Sequence, residues 1–424
     1  MGLRIWFLDQ FAIKRQNVYK LRKPIYRLDI IGIILFFISP LLALPVLIAG
    51  VYKGGYRSMF WISCVMALCA FITPPFADLY RHTLMYFQYT TYGAAPFLQS
   101  NGHDFALYTL SHFFAQNDIP FEYVRAIFVF ITSEIAFFLF RSIVNECQIS
   151  SQQRRERFLL FLLFFLSVPF IWVVNGLRMA TACYIAVLAW YWIYKKNYLL
   201  GIATYGLSLC FHFGALMFAP VLLFTLLPVL RIPRWGFLIM LILLFGAGKI
   251  LLQMIPSSVI SMLDMEAQVS GYMEASEDRF DSVMSLNGWI ALYLERTPLW
   301  LILYWMIRCQ LPLNGKNRTM LYMIYFVGFL VMPFTVLFQK YTLFVLPIAL
   351  WLVVHQQKLE SSVTRYHLRM LTGACILMTF AYMYGHREVL SATPFADLLS
   401  SPLLLLANAD TIEQFRHALV PEQL

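Results

Sequence analysis

Residues 158–194 read FLLFLLFFLSVPFIWVVNGLRMATACYIAVLAWYWIY. Two apolar runs, 158–174 and 178–194, meet at Asn175-Gly176-Leu177, and Arg178 is the single charged residue in the stretch. A spanning helix needs about 20 mostly apolar residues, and an open strand would leave its backbone groups unpaired in lipid. The stretch therefore reads as two membrane helices joined by a tight turn, with one cation where the second begins.

Working outward, the same pattern recurs along the chain. Candidate segments are 29–50, 58–76, 124–143, 158–174, 178–194, 198–212, 214–230, 235–252, 289–307, 319–338, 341–354 and 370–385. The expected fold class is all-α, a polytopic transmembrane bundle of about 11–13 segments. Composition agrees. Of 424 residues 60% are hydrophobic and only 13% charged, against about 25% charged in an ordinary soluble domain. The 24 Tyr and 10 Trp suit membrane–water interfaces. The net charge of +10 sits mostly in short stretches between apolar runs, the pattern of topology-setting loops, and it argues against nucleic acid as a partner. The seven cysteines form neither a metal-ligand spacing nor a disulfide framework. The first strongly apolar run begins near Ile30, too late and too long for a cleavable leader.

Basic clusters fall at Arg154–Arg157, Lys195–Lys196, Arg231–Arg234, Lys316–Arg318 and Lys358–Arg369, each two crossings from the next. All then share one side, the cytoplasm. The outer side receives 77–123, the turn at Asn175–Arg178, the turn at His212, the acidic segment 253–288, a turn at Gln339–Lys340, and a tail from His386. Residues 77–123 and the stretch around Pro402–Leu406 read as amphipathic or interfacial helices. The chain divides into a basic arm (1–28), a membrane domain (29–385) and an external tail (386–424). The arm carries Arg4, Lys14, Arg15, Lys20, Arg22, Lys23 and Arg27, and the loop after segment 29–50 carries Lys53 and Arg57. If both are cytoplasmic, 29–50 is a re-entrant hairpin bent at Pro40 and Pro45; if it crosses, the arm lies outside.

Charges near membrane depth are costly, which singles out a few residues. Arg178 opens a helix, where the dipole disfavours a cation; it either snorkels to the interface or meets an anionic ligand. His212 stands between apolar runs in Cys210-Phe-His212-Phe-Gly, as a turn histidine or as a proton acceptor. In Pro74-Pro75-Phe-Ala-Asp78-Leu-Tyr80-Arg81-His82, Asp78 and Arg81 have the spacing of an ion pair. Lys340 is a cation on the outer side, and Arg279 stands among carboxylates in 253–288. Glycine-rich phosphate loops, nucleophile elbows and zinc patterns are missing from the sequence.

Three of these segments, in this order, resemble the EpsG family of bacterial, Wzy-like polysaccharide polymerases: Pro74-Pro75-Phe-Ala-Asp78-Leu-Tyr-Arg81, the Asn175-x-x-Arg178 turn with its Ala-rich helix, and Phe211-His212-Phe-Gly-Ala-Leu after Lys195-Lys196. The likeness reads well over roughly 30–240, starting from Ser39-Pro40, and by hydropathy alone beyond. Met179 stands where the family usually has Gln, and Lys340 where it often has Arg. The resemblance implies a GT-C-like, metal-independent glycosyltransferase without a cofactor, in the bacterial inner membrane with its site facing outward. Its donor and acceptor would be undecaprenyl-pyrophosphate-linked oligosaccharides, with membrane lipid and a chain-length regulator as further partners. Arg178, Arg81, Lys340 and Arg279 would then hold pyrophosphate. His212 or Asp78 would accept the proton, and Asn175 and Tyr80 would position substrate. The alternatives are a flippase or transporter for the same lipid-linked glycans, which would place charges along a path through both leaflets, and a membrane acyltransferase using His212.

Overall fold

The computed structural model describes residues 27–92, 105–149, 153–253, 290, 293–308, 310–311, 313–355, 361–416 and 418. Among them there is no β-strand. Helices run α1 (Arg27–Ile38), α2 (Pro40–Tyr52), α3 (Arg57–Ile72), α4 (Ala77–Tyr92), α5 (Phe105–Gln116), α6 (Phe121–Glu146), α7 (Arg154–Leu166), α8 (Phe170–Asn175), α9 (Leu177–Tyr194) and α10 (Tyr198–Phe211). After a 3₁₀ segment at Phe213–Phe218 come α11 (Ala219–Phe224), α12 (Arg234–Gln253), α13 (Thr297–Ile307), α14 (Gly315–Val331), α15 (Thr335–Val354) and α16 (Ser362–Gly385). The tail adds α17 (Arg387–Ala392), a 3₁₀ turn, α18 (Pro402–Ala407) and α19 (Thr411–Arg416). Among the described residues three stretches are long and apolar enough to cross a membrane, Phe121–Glu146, Arg154–Asn175 and Leu337–Val354, and several shorter apolar helices accompany them.

The core forms around α9, which is apolar on every side and buried along most of its length, as a helix enclosed by others must be. It packs against α6, α10 and α15. Trp190 and Trp351 meet edge to face at 5.4 Å, and Tyr194 meets Trp351 at 5.0 Å, at the C-terminal end of α9. The Asn175 turn ends α8 and Gly176 passes directly into α9.

Segment 29–50 doubles back. The chain breaks at Ser39-Pro40, where the Ser39 hydroxyl caps α2 by accepting from the Leu42 N–H at 3.3 Å. Gly32 of α1 lies against Leu47 of α2, and the Ser58 hydroxyl donates to buried Asp29 at 2.5 Å. Gly32 and Leu47 are equidistant from the break, and so are Asp29 and Gly50, which also lie against each other, so Arg27 and Lys53 come to the same end. At 1.5 Å per residue each arm is about 18–20 Å long, short of a hydrocarbon core of about 30 Å. The bend is at Pro40 alone; Pro45 sits inside α2.

Other boundaries differ from the sequence expectation. Lys340 is not in a turn: α15 begins at Thr335 and carries Lys340 in its second turn. The turn falls at Met332–Phe334, because Pro333 has no N–H to continue the helix after the still-helical Met332, and Phe334 is extended. Segment 319–338 is accordingly α14, Gly315–Val331. Segment 158–174 splits into α7 and α8 at Pro169, 214–230 becomes a 3₁₀ turn plus the short α11, and 370–385 begins earlier, at Ser362. Arg279, the basic arm up to Lys23, and nearly all of 253–288 lie outside the described residues.

Candidate active site

Pro74-Pro75 cannot continue α3, which ends at Ile72. Ala77 then takes a left-handed φ of 45°, a strained step for a residue with a Cβ, and α4 starts at once. The N–H groups of its first turn need acceptors, and another helix provides one. Asn175 Oδ1 accepts from the N–H of Asp78 at 2.9 Å and from that of Leu79 at 3.4 Å. The Asn175 turn therefore caps α4 from outside and fixes it against the start of α9.

That contact brings the charges together. Arg178 Nη2 lies 3.9 Å from Asp78 Oδ2, and its Nη1 donates to the Tyr108 hydroxyl at 2.8 Å. The guanidinium also sits 5.7 Å from the Tyr108 ring centre. On α4 itself, His82 Nε2 is 3.3 Å from the same Asp78 oxygen, one turn on. Burial alone would raise the Asp78 carboxyl. The hydrogen bond and charge of His82, then Arg178 and Arg81, outweigh it and hold the group well below the usual carboxylate range. Further along the same face, burial pushes the Tyr89 phenol up to about 12, with Tyr108 adding and Arg178 opposing, and Tyr89 meets His112 edge to face at 6.0 Å.

His212 reaches the same level. The Ser208 hydroxyl of α10 donates to the Ala182 carbonyl of α9 at 2.7 Å. Arg178 is four residues before Ala182 and His212 four after Ser208 on antiparallel neighbours, so both stand about one turn beyond that bond. His212 is buried, in extended geometry between α10 and the 3₁₀ segment. Lys340, half-buried on α15, lies near Cys183 of α9, five residues on from Arg178.

The arrangement gathers Asp78, Asn175 and Arg178, with His212 and Lys340 at the same end of α9. The ion pairs of Asp78 are with His82 and Arg178; exposed Arg81 acts on it at longer range, in place of the close pair its spacing suggested. Tyr80 lies on the far face of α4, stacked on Phe415 at 5.0 Å. Sequence reasoning gave no role to His82 or Tyr108. The i, i+4 spacing of Asp78 and His82 was the available signal; Tyr108 has none, since it sits in an aromatic-rich segment without distinctive spacing. Among the described residues no three His, Cys, Asp or Glu side chains gather as a metal site would require.

The sequence matches the EpsG family over residues 75–392. The chain belongs to the EpsG family. The match starts at the Pro75 that precedes α4 and runs to the end of α17, so it takes in the later helices that the motif resemblance covered only by hydropathy and leaves out the α1–α2 hairpin. No curated protein and no solved structure matches the chain.

Proposed function

We propose that this EpsG-family protein polymerises undecaprenyl-pyrophosphate-linked oligosaccharide repeat units at the outer face of the bacterial inner membrane, and that Arg178 is its central pyrophosphate ligand. The observation that carries the reading is Arg178 at a helix N-terminus, where the helix dipole opposes a cation, held between Asp78 and Tyr108. On this reading the protein is a polytopic, GT-C-like bundle with this end outside; the course of α9 from Arg178 to the Lys195-Lys196 cluster, which the positive-inside rule assigns to the cytoplasm, supports it. On this reading α4 and α5 lie along the outer membrane surface, and α1–α2 is re-entrant from the cytoplasm.

In the reaction, an acceptor sugar hydroxyl attacks the anomeric carbon of the donor chain, the carbon–oxygen bond to pyrophosphate breaks, and undecaprenyl pyrophosphate leaves. Negative charge grows on the departing pyrophosphate, and a preorganised cation stabilises it more in the transition state than in the ground state. Arg178 supplies that cation, with Lys340 and Arg81 at longer range. Asp78, held ionised, is a weak base, so its role is to orient Arg178, and His82 orients Asp78. The hydroxyl proton passes to His212, the remaining candidate acceptor at this level. Half-buried Asp78 and Arg178 leave the site open to substrate.

The test is deletion of the gene and complementation with wild type, Arg178→Ala, Arg178→Lys and His212→Ala. Surface and lipid-linked glycans are resolved on gels and protein is quantified by immunoblot. Single repeat units in the deletion, uncorrected by Arg178→Ala at normal abundance, are the expected result. Long polymer in the deletion strain overturns the polymerase reading, and repeat units trapped on the cytoplasmic side point to a flippase instead.

A further inference from the structure

Helix α4 presents two opposite faces. At about 100° per residue, Asp78, His82 and Tyr89 share one side and Tyr80 and Phe87 the other. The first side meets Arg178 and Tyr108. The second is covered by the C-terminal tail: Phe415 of α19 stacks on Tyr80 (5.0 Å, 19° between planes) and meets Phe87 edge-on at 5.3 Å. The helix is thus held from behind by a segment that lies beyond the family-matched residues.

That segment is anchored at depth. Arg125 of α6 is fully buried; it donates to the carbonyls of Thr73 at 2.5 Å and Phe71 at 3.0 Å, and to Gln414 Oε1 at 2.5 Å. Gln414 Nε2 donates in turn to the Phe71 carbonyl at 3.0 Å. Buried Glu122 pairs with Arg125 at 3.4 Å and accepts from the Thr411 hydroxyl at 2.6 Å, and Thr411 accepts from the Phe121 N–H at 3.1 Å. The Tyr123 hydroxyl donates to the Leu406 carbonyl at 2.7 Å. These bonds join the tail to the last carbonyls of α3, immediately before the Pro74-Pro75 turn that launches α4. A buried network of this kind is rigid, because opening it would strand charged groups away from water.

We infer that the tail segment 402–416 is a strap that positions α4, and that Phe415 is a positioning residue for the proposed transfer reaction, acting through Tyr80 and Phe87 to set the distance between Asp78 and Arg178. The inference rests on the functional reading above. It also gives Tyr80 a different task from substrate contact: it is the bearing surface between strap and helix. Asn175 holds the first turn of α4; beyond it the strap supports the outer face, opposite the side where the Tyr86 hydroxyl donates to the Ile119 carbonyl at 2.7 Å and Gln116 Nε2 donates to the Tyr89 carbonyl at 3.4 Å.

The test uses full-length protein in lipid nanodiscs with lipid-linked repeat units isolated from the deletion strain, comparing wild type, Phe415→Ala, Phe415→Leu, Phe415→Tyr and Arg178→Ala. The expected result is a kcat at least about tenfold lower in Phe415→Ala, since misplacement of this kind by a fraction of an ångström to 1 Å is costly, with KM within about twofold. Phe415→Tyr, which keeps the flat ring, restores kcat; Phe415→Leu, which fills space without stacking, does not. The inference is overturned if Phe415→Ala matches wild type, if only the amount of folded protein falls while activity per folded molecule is unchanged, or if Leu rescues as fully as Tyr. Should Arg178→Ala polymerise normally, the site reading itself fails; should Arg178→Ala be inactive and Phe415→Ala normal, the strap alone does.

Discussion

The two ends of α9 carry the same ingredients in different states. At its C-terminal end Lys195 pairs with Glu146 of α6, which also meets His355 Nε2 at 2.8 Å and accepts from the Tyr191 hydroxyl at 3.0 Å. The Lys195 ammonium lies over the rings of Tyr191, Tyr194 and Trp351 at 5.7–5.9 Å. A cation there suits the helix dipole, and the carboxylate has three close partners. At the N-terminal end Arg178 opposes the dipole, and its ion pair with Asp78 is long, at 3.9 Å. The first cluster is a clasp between helices. The second is a cation that the helix dipole opposes, and on the proposed reading an anionic ligand would offset that opposition.

Substitutions at the two ends should therefore diverge. Arg178→Ala is expected to reduce polymer formation by about 10²-fold or more at normal abundance, the scale of losing a preorganised charge-stabilising donor. Glu146→Gln is expected to leave polymerisation per folded molecule within about twofold and to lower the melting temperature in detergent. A polymerase defect in Glu146→Gln without loss of stability would erase the contrast. Next in size, Asn175→Ala removes the acceptor for the Asp78 and Leu79 N–H groups, a cap worth about 1 kcal/mol, and should lower activity roughly tenfold through misplacement of α4.

The pH response sharpens the same comparison. Asp78 has a folded-state pKa below its unfolded value of about 4, so its contribution to stability is complete above that value and is lost as pH falls toward the lower, folded one. The melting-temperature gap between wild type and Asp78→Asn should persist down to about pH 5 and shrink below about pH 4. A gap that closes near pH 6 would mean that Asp78 is not held ionised by His82 and Arg178.

The fold was legible wherever an apolar run ended in charge or glycine. Segments 178–194, 198–212 and 235–252 match α9, α10 and α12 to within a residue, because Arg178, Lys195-Lys196, His212 and Arg234 mark their ends. It was illegible where composition is the same for two geometries. A run such as 29–50 has one hydropathy whether it crosses or doubles back, and only Gly32 against Leu47 and Asp29 against Ser58 distinguish the two. Lys340 misled because a polar dipeptide resembles a turn, while the backbone obeyed Pro333. In the site, Asp78, Asn175 and Arg178 stood out as polar groups beside apolar runs. Tyr108, the pairing of His82 with Asp78, and the strap did not: pairings such as Phe415 with Tyr80 join distant parts of the chain and leave no local period.

The smallest expected effect isolates one bond in the open cluster. Tyr108→Phe deletes the hydroxyl that accepts from Arg178 Nη1 and keeps the ring beside the guanidinium. A hydrogen bond from a charged donor is worth about 1.5–3 kcal/mol, but the partly exposed guanidinium can recover some of that from water. The net loss should be about three- to tenfold in kcat, with Tyr108→Ala worse because the ring contact goes too. If Phe and Ala are equally impaired, the hydroxyl alone orients Arg178. If Phe is indistinguishable from wild type, the ring and Asp78 suffice, and the polar tether on α5 is dispensable to the cation it touches.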